Sequence, residues 1–82
     1  MEEKIIAINF ISYDEKILYP MACKGSDIFS KLQGKLFLEY PQYKKQNNFF
    51  TINGKKINKS ETLEKNGIKN GDTIFLNTND NL

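Results

Sequence analysis

Few side chains in this chain could take part in covalent chemistry. There is one thiol, Cys23, no histidine, and ten carboxylates against twelve lysines with no arginine. A thiol becomes a useful nucleophile only beside a base or in a positive field. With no imidazole to act as that base, a histidine-dependent triad is excluded. One cysteine also leaves too few ligands for a zinc site of the usual kind. Cys23 ends the alternating run ILYPMAC, residues 17–23, where a small core residue is the simpler role. The carboxylates Asp14, Glu15, Glu61 and Glu64 fall in expected turns and read as solvated. The stretch from Gly67 to Gly71 lacks both the glycine spacing and the strand-to-helix setting of a phosphate loop. The chain therefore does not read as an enzyme, and no cofactor or metal is expected.

What remains is the chemistry of recognition. Aromatic side chains cover on the order of 150–250 Å² each when buried and are favoured interface anchors. Strand alternation places Phe49, Thr51 and Phe75 on the side away from the expected core, with Ile5 and Ile11 nearby. Such a patch is rarely kept by a monomer without use. The competing reading is that Phe49 and Phe75 are partly shielded by the chain's tail or by a loop residue such as Tyr43.

The elements that would position these residues follow from periodicity. IIAINFI, residues 5–11, is the first strand, with Ile6, Ile8 and Phe10 on one face and Ile5, Ala7, Asn9 and Ile11 on the other. A polar turn, residues 12–16, leads to the second strand, 17–23, with Tyr19, Met21 and Cys23 inward. Pro20 cannot donate to a ladder, so its missing N–H must face solvent or a bulge. Ser26 or Asp27 is placed to cap a helix. Phe29, Leu32 and Leu36 recur at helical spacing on its buried face, with Ile28 flanking. Gly34 costs that helix about 0.5–1 kcal/mol relative to alanine, and Pro41 ends it by Tyr40.

A polar connection, 42–48, precedes the third strand, with Phe50 and Ile52 inward. Asn53-Gly54 signals a tight hairpin, since both residue types tolerate positive φ. Ile57 then anchors a short fourth strand, and Leu63 and Ile68 are apolar anchors in a polar connection. A helical turn is expected at Thr62-Leu63. Ile74 and Leu76 face inward on the last strand, leaving Thr73, Phe75 and Asn77 outward.

Eighty-two residues make one domain, 1–82, with a core over about 5–78 and a flexible tail at 79–82. A chain this short buries only roughly 60% of its unfolded surface. Composition is ordinary for a globular domain, 39% apolar and 27% charged. No apolar run approaches the roughly 18 residues of a membrane span, and the acidic start Met1-Glu2-Glu3-Lys4 does not resemble a secretory signal. A single cysteine is compatible with a reducing compartment, so an intracellular setting, cytoplasmic or nuclear, is expected. Net charge is only +2, and the lysines are scattered. Nucleic-acid binders cluster their basic residues and use arginine heavily. Neither nucleic acid nor membrane is an expected partner. Ten asparagines beside twelve lysines read as a compositional habit.

The order and spacing of residues 50–76, FTINGKKINKSETLEKNGIKNGDTIFL, resemble the second half of ubiquitin and ubiquitin-like domains. Asn53-Gly54-Lys55, Thr62-Leu63, Gly67-Ile68 and the last strand carry that match, and a weaker one extends over about 5–78. The resemblance implies an α+β fold, the β-grasp: ββαββ with a mixed sheet packed on one helix. It also implies recognition through the exposed sheet face. The positions that form ubiquitin's apolar patch fall at Tyr13, Thr51 and Asn77, so two central aliphatics are polar here. Neighbouring positions carry Ile11, Phe49 and Phe75, which moves the apolar area toward them. Lys55 matches a lysine used in ubiquitin chain linkage; in this chain it reads as a solvated turn residue at the rim of the face.

The chain ends Asn79-Asp80-Asn81-Leu82 without the terminal Gly-Gly that conjugation needs. The expectation is a non-covalent interaction module, monomeric, within a larger intracellular protein. It would bind protein partners, ubiquitin-pathway components among them, through Ile11, Tyr13, Phe49, Thr51, Lys55, Phe75 and Asn77. Two alternatives stay open. One is a conjugatable modifier or sulfur carrier whose Gly-Gly lies outside this sequence. The other is a different β-grasp interaction domain, of the Ras-binding or acidic/basic head-to-tail type.

Overall fold

A computed structural model describes residues 4–45 and 47–78; the expected tail, 79–82, lies outside them. Five strands and one helix follow in the order β1 (Ile5–Ser12), β2 (Leu18–Lys24), α1 (Phe29–Glu39), a 3-10 turn (Pro41–Tyr43), β3 (Asn48–Ile52), β4 (Lys55–Lys56) and β5 (Thr73–Thr78). They form a single mixed sheet ordered β2-β1-β5-β3-β4. β1 and β5 run parallel at its centre, and the other neighbours are antiparallel. This is the expected α+β architecture, a mixed sheet packed on one helix, though the two-residue β4 makes the order ββαβββ rather than ββαββ.

Hydrogen-bond parity fixes how the centre is shared. The Ser12 N–H donates to Ile17 O, so the even residues of β1 bond toward β2. The N–H groups of Asn9 and Tyr13 donate to Asp72 O and Leu76 O, so the odd residues bond toward β5. Pro20 pairs with Asn9. By the same parity its nitrogen points off the open edge of β2, where no donor is missed. The opposite edge is two lysines long, which discourages pairing with another sheet.

Alternation delivers the core as expected. Ile8 and Phe10 of β1, Met21 and Cys23 of β2, Phe50 and Ile52 of β3, and Ile74 and Leu76 of β5 are buried beneath Phe29, Leu32 and Leu36 of α1. Phe10, Phe29 and Phe50 meet as three ring pairs, with centroids 5.0 to 6.2 Å apart. Such aromatic pairs add about 0.5–1.5 kcal/mol each beyond area burial. Phe37, not expected in the core, closes this cluster from the helix C-terminus. Tyr19 is only partly buried and packs edge-on against Tyr40, with centroids 5.8 Å apart.

Two local expectations are corrected. The helix is not capped by Ser26 or Asp27, because its N-cap position is Ile28 and no side chain caps it. The Asp27 carboxylate instead accepts the Lys24 N–H at 2.9 Å. The first helical amides, of Phe29 and Ser30, donate to the carbonyls of Glu61 and Lys59 at 3.0 and 3.1 Å. A helix end needs its orphan amides satisfied, and here a distant loop does it.

The helical turn expected at Thr62-Leu63 is present as a single turn, the Asn66 N–H donating to Thr62 O at 3.1 Å. Gly67 takes φ +75° and stops it, while the Asn66 side chain clamps the N–H and C=O of Asn58. The second correction concerns the connection 42–48, which is not wholly polar: Tyr43 is buried, and Asn48 already belongs to β3. Asn53 and Gly54 both take positive φ, 52° and 79°, as the hairpin required.

Leu63 is fully buried, and its N–H holds Asp27 O at 2.9 Å. It pins the loop that caps the helix. Leu63→Ala is expected to cost about 2–5 kcal/mol, a large share of the total for a domain this size. Urea unfolding followed by circular dichroism checks it, the midpoint falling while the slope stays constant.

Candidate functional site: the open face of the sheet

With α1 on one side, the outward residues of every strand face solvent on the other. Register aligns one row across all five strands. Leu18 pairs with Ile11, Ile11 with Phe75, Phe75 with Thr51, and Thr51 with Lys56. Leu18 is 69% exposed and Phe75 44%, while Ile11 between them is half-buried. The row thus presents two accessible apolar side chains flanking a third, on a rigid backbone.

The next row holds Phe49 opposite Asn77. The Asn77 amide donates to Thr51 Oγ1 at 3.1 Å and so fills the centre of the face with a polar bridge. Phe49 is half-buried, and Lys56 Nζ lies 5.6 Å from its ring centroid. A lysine stem covers such a ring while its ammonium stays wet. Tyr13, 47% exposed, stands beyond the end of β1, where its N–H donates to Leu76 O at 2.8 Å.

Ile11, Thr51 and Phe75 therefore come together in one row, with Phe49 and Asn77 adjacent and Tyr13 at one end. Lys55 does not join them. It pairs with Ile52, an inward residue, so it faces the helix side while Lys56 takes the rim. Leu18 and Lys56 were missed. The signal for Leu18 was present: placing Tyr19, Met21 and Cys23 inward puts Leu18 outward. For Lys56, counting the register back across the two-residue turn would have sufficed. Tyr43 belongs to the buried core cluster, with its hydroxyl bonded to Asp14.

The turn that carries Tyr13 is fixed by a polar network. Buried Ser12 Oγ accepts the N–H groups of Lys16 and Ile17 at 3.1 and 3.0 Å and donates to Asp14. The Asp14 carboxylate also accepts the Tyr43 hydroxyl at 2.8 Å. Expected as solvated, Asp14 instead ties the first hairpin to the loop after the helix. The Ser12 hydroxyl, helped by Tyr43 and the Lys16 N–H, holds its carboxyl below the usual carboxylate range against the opposing cost of desolvation. Tyr43 is pushed up, by desolvation first and then by its bond to Asp14.

Cys23 is 6% exposed, with its thiol 3.8 Å from Ile6 O. Burial, then the charge of Asp27, pushes the thiol up, which keeps it protonated and unreactive.

The class this architecture defines is the ubiquitin-like β-grasp. The chain is similar to the ubiquitin of Caldiarchaeum subterraneum, at 17% identity and a TM-score of 0.77, with 95% of this chain and 98% of that one covered. It is similar also to a designed protein based on ubiquitin, at 20% identity and a TM-score of 0.78, covering 95% and 93%. No protein-family model and no curated protein matches it. At these identities the likeness is one of fold.

The Asp14 network sets a pH dependence. A carboxyl held below its unfolded value of 3.8 contributes stability that is full above that pH and lost as pH falls through the folded value. The stability gap between the native chain and Asp14→Asn is thus expected to be constant near neutrality and to close below pH 3.8. Paired urea titrations across pH 2 to 7 test it (roughly the span over which a carboxyl titrates); a gap unchanged in acid would show that the carboxylate's charge is not involved.

Proposed function

We propose that the chain is a non-covalent protein–protein interaction module of ubiquitin-like type, working as one domain of a larger intracellular protein. Its partners are proteins, with ubiquitin-pathway components as first candidates, and it acts by binding without catalysis. The observation that supports this reading is the aligned row Leu18, Ile11 and Phe75, apolar and accessible on the face the helix leaves open. Contiguous exposed apolar area of this kind marks interaction sites.

A partner laid across the row would cover Phe75 at its centre, where anchors contribute most. Ile11 is already held by its neighbours, so ordering it costs little. Asn77 and Thr51 present a bridged polar pair to the partner, Leu18 and Lys56 close the two ends of the row, and Tyr13 stands beyond β1. No helix among the described residues is long and apolar enough to cross a membrane.

Phe75→Ala is expected to leave the unfolding midpoint nearly unchanged and to weaken a captured partner by about 1–2 kcal/mol. Titration calorimetry with the purified partner, beside urea unfolding of the variant, measures both. Loss of the fold would place Phe75 in the core and remove the proposal. A partner whose affinity collapses with salt would indicate charge-led docking instead. The intact mass of the native gene product decides the remaining rival: a ladder of adducts on many proteins would mean a covalent modifier.

A further inference from the structure

A second surface lies around the β3 edge from the sheet face, and its chemistry differs. A depression of 420 Å³ opens between the C-terminal half of α1 and the start of β3, with Gln33, Gly34, Phe37 and Leu38 on one wall and Lys44 and Lys59 on the other. It shares Asn48 and Lys59 with a second depression of 480 Å³ that runs on past Lys56 to Phe49. The two make one groove. Three lysines line it and no carboxylate does.

Among the described residues no carboxylate pairs with these lysines. The ion pairs among the described residues, Lys31 with Asp27 at 3.5 Å and Lys65 with Glu61 at 3.8 Å, use none of them. Lys59 and Lys56 instead hold their ammonium groups 5.8 and 5.6 Å from the ring centroids of Phe50 and Phe49. That contact orients a cation without cancelling its charge.

A second observation is independent of charge. The Oε1 of Gln33, on the groove wall, is buried and has no donor among the described residues. Buried polar atoms are normally paired, and an exception calls for an explanation. Exchanging the amide's oxygen and nitrogen would leave a donor in the same place, so the position needs a hydrogen-bonding partner either way. Beside it the Cβ position of Gly34 meets nothing within 4 Å, which leaves room for a main chain to approach. Leu38, 82% exposed, adds an apolar shoulder.

We propose that this groove binds an extended acidic peptide segment of a partner protein. Carboxylates on the segment face Lys44, Lys56 and Lys59, an aliphatic side chain packs on Leu38, and the Gln33 amide, turned outward from its buried place, bonds the segment's main chain. A nucleic-acid strand fits the charge but not the rest. Both groove phenylalanines that could stack a base are covered, Phe37 by packing and Phe49 by Lys56, and a phosphodiester strand offers no aliphatic side chain to Leu38.

The test uses the whole chain and a fluorescein-labelled peptide of glutamates and aspartates around two leucines, read by anisotropy. An oligothymidylate of equal charge serves as the second probe. The peptide is expected to bind, more weakly as salt rises, with amide shifts in nuclear magnetic resonance centred on Gln33, Leu38 and Lys59. Lys44→Glu with Lys59→Glu should reduce its affinity about tenfold or more, and Gln33→Leu about threefold. Phe75→Ala should leave it unchanged, which separates this groove from the sheet-face site. The proposal is overturned if the oligonucleotide binds as tightly as the peptide, if shifts centre on Ile11 and Phe75, if charge reversal has no effect in a folded variant, or if the peptide does not bind.

Discussion

The rings of Phe10, Phe29 and Phe50 meet where β1, β3 and α1 cross, and the arrangement of the domain depends on that contact. A helix of eleven residues is about 16 Å long. It can lie across one face of a five-stranded sheet but has no counterpart for the other. Because strand side chains alternate, every residue committed to the phenylalanine cluster sends its neighbour outward. The open face is therefore a geometric consequence of the core. Only the identity of the outward residues, Leu18, Ile11, Phe75 and Thr51, was free to vary.

The same economy governs the connection from Ile57 to Asp72. It holds no helix or strand, yet it buries Ile57, Leu63 and Ile68 and closes the helix N-terminus with its own carbonyls. A loop that satisfies four or more backbone groups of other elements is not a passive link. Leu63 N–H to Asp27 O, Glu64 N–H to Gly25 O, and the Phe29 and Ser30 amides to Glu61 and Lys59 form one stitched seam. Buried loop backbone must be paired in this way, and the pairing keeps the helix in place over the rings.

What could be read in the sequence was whatever has a short period. Alternation assigned the faces of β1, β3 and β5, helical spacing placed Phe29, Leu32 and Leu36, and Asn53-Gly54 marked its turn. What could not be read was set by partners far apart in the chain. Asp14 finds Tyr43 twenty-nine positions away, which turns an apparently solvated carboxylate into a tie between loops. The helix cap was assigned to the nearest suitable side chains because nothing local marks Glu61 O as the acceptor. Of the candidate site, alternation placed Ile11, Phe49, Thr51, Phe75 and Asn77 on the face away from α1, where register puts them. Lys55 was placed there by resemblance, and register corrects it to Lys56. The groove beside Gln33 left no sequence signal, since it depends on how α1 sits against the start of β3.

The distribution of lysines then decides how the two surfaces differ. Where a lysine lies over an aromatic, as Lys56 does over Phe49, the ring's area is withdrawn from the apolar patch and the charge is aimed toward the groove. Where no lysine lies over the ring, as at Phe75, apolar area stays open. Phe49 and Phe75 occupy adjacent outward rows with similar side chains, yet one contributes to a charged rim and the other to an apolar centre. The cause is register: Lys56 sits opposite Thr51 and reaches the β3 edge, whereas β1 lies on the far side of Phe75 and offers Ile11. A one-residue shift of the β3–β4 hairpin would put Lys55 in that place and exchange the two faces. The positive φ of Asn53 and Gly54 fixes the turn at two residues. That tight turn therefore does more than join two strands, because it settles which lysine covers Phe49.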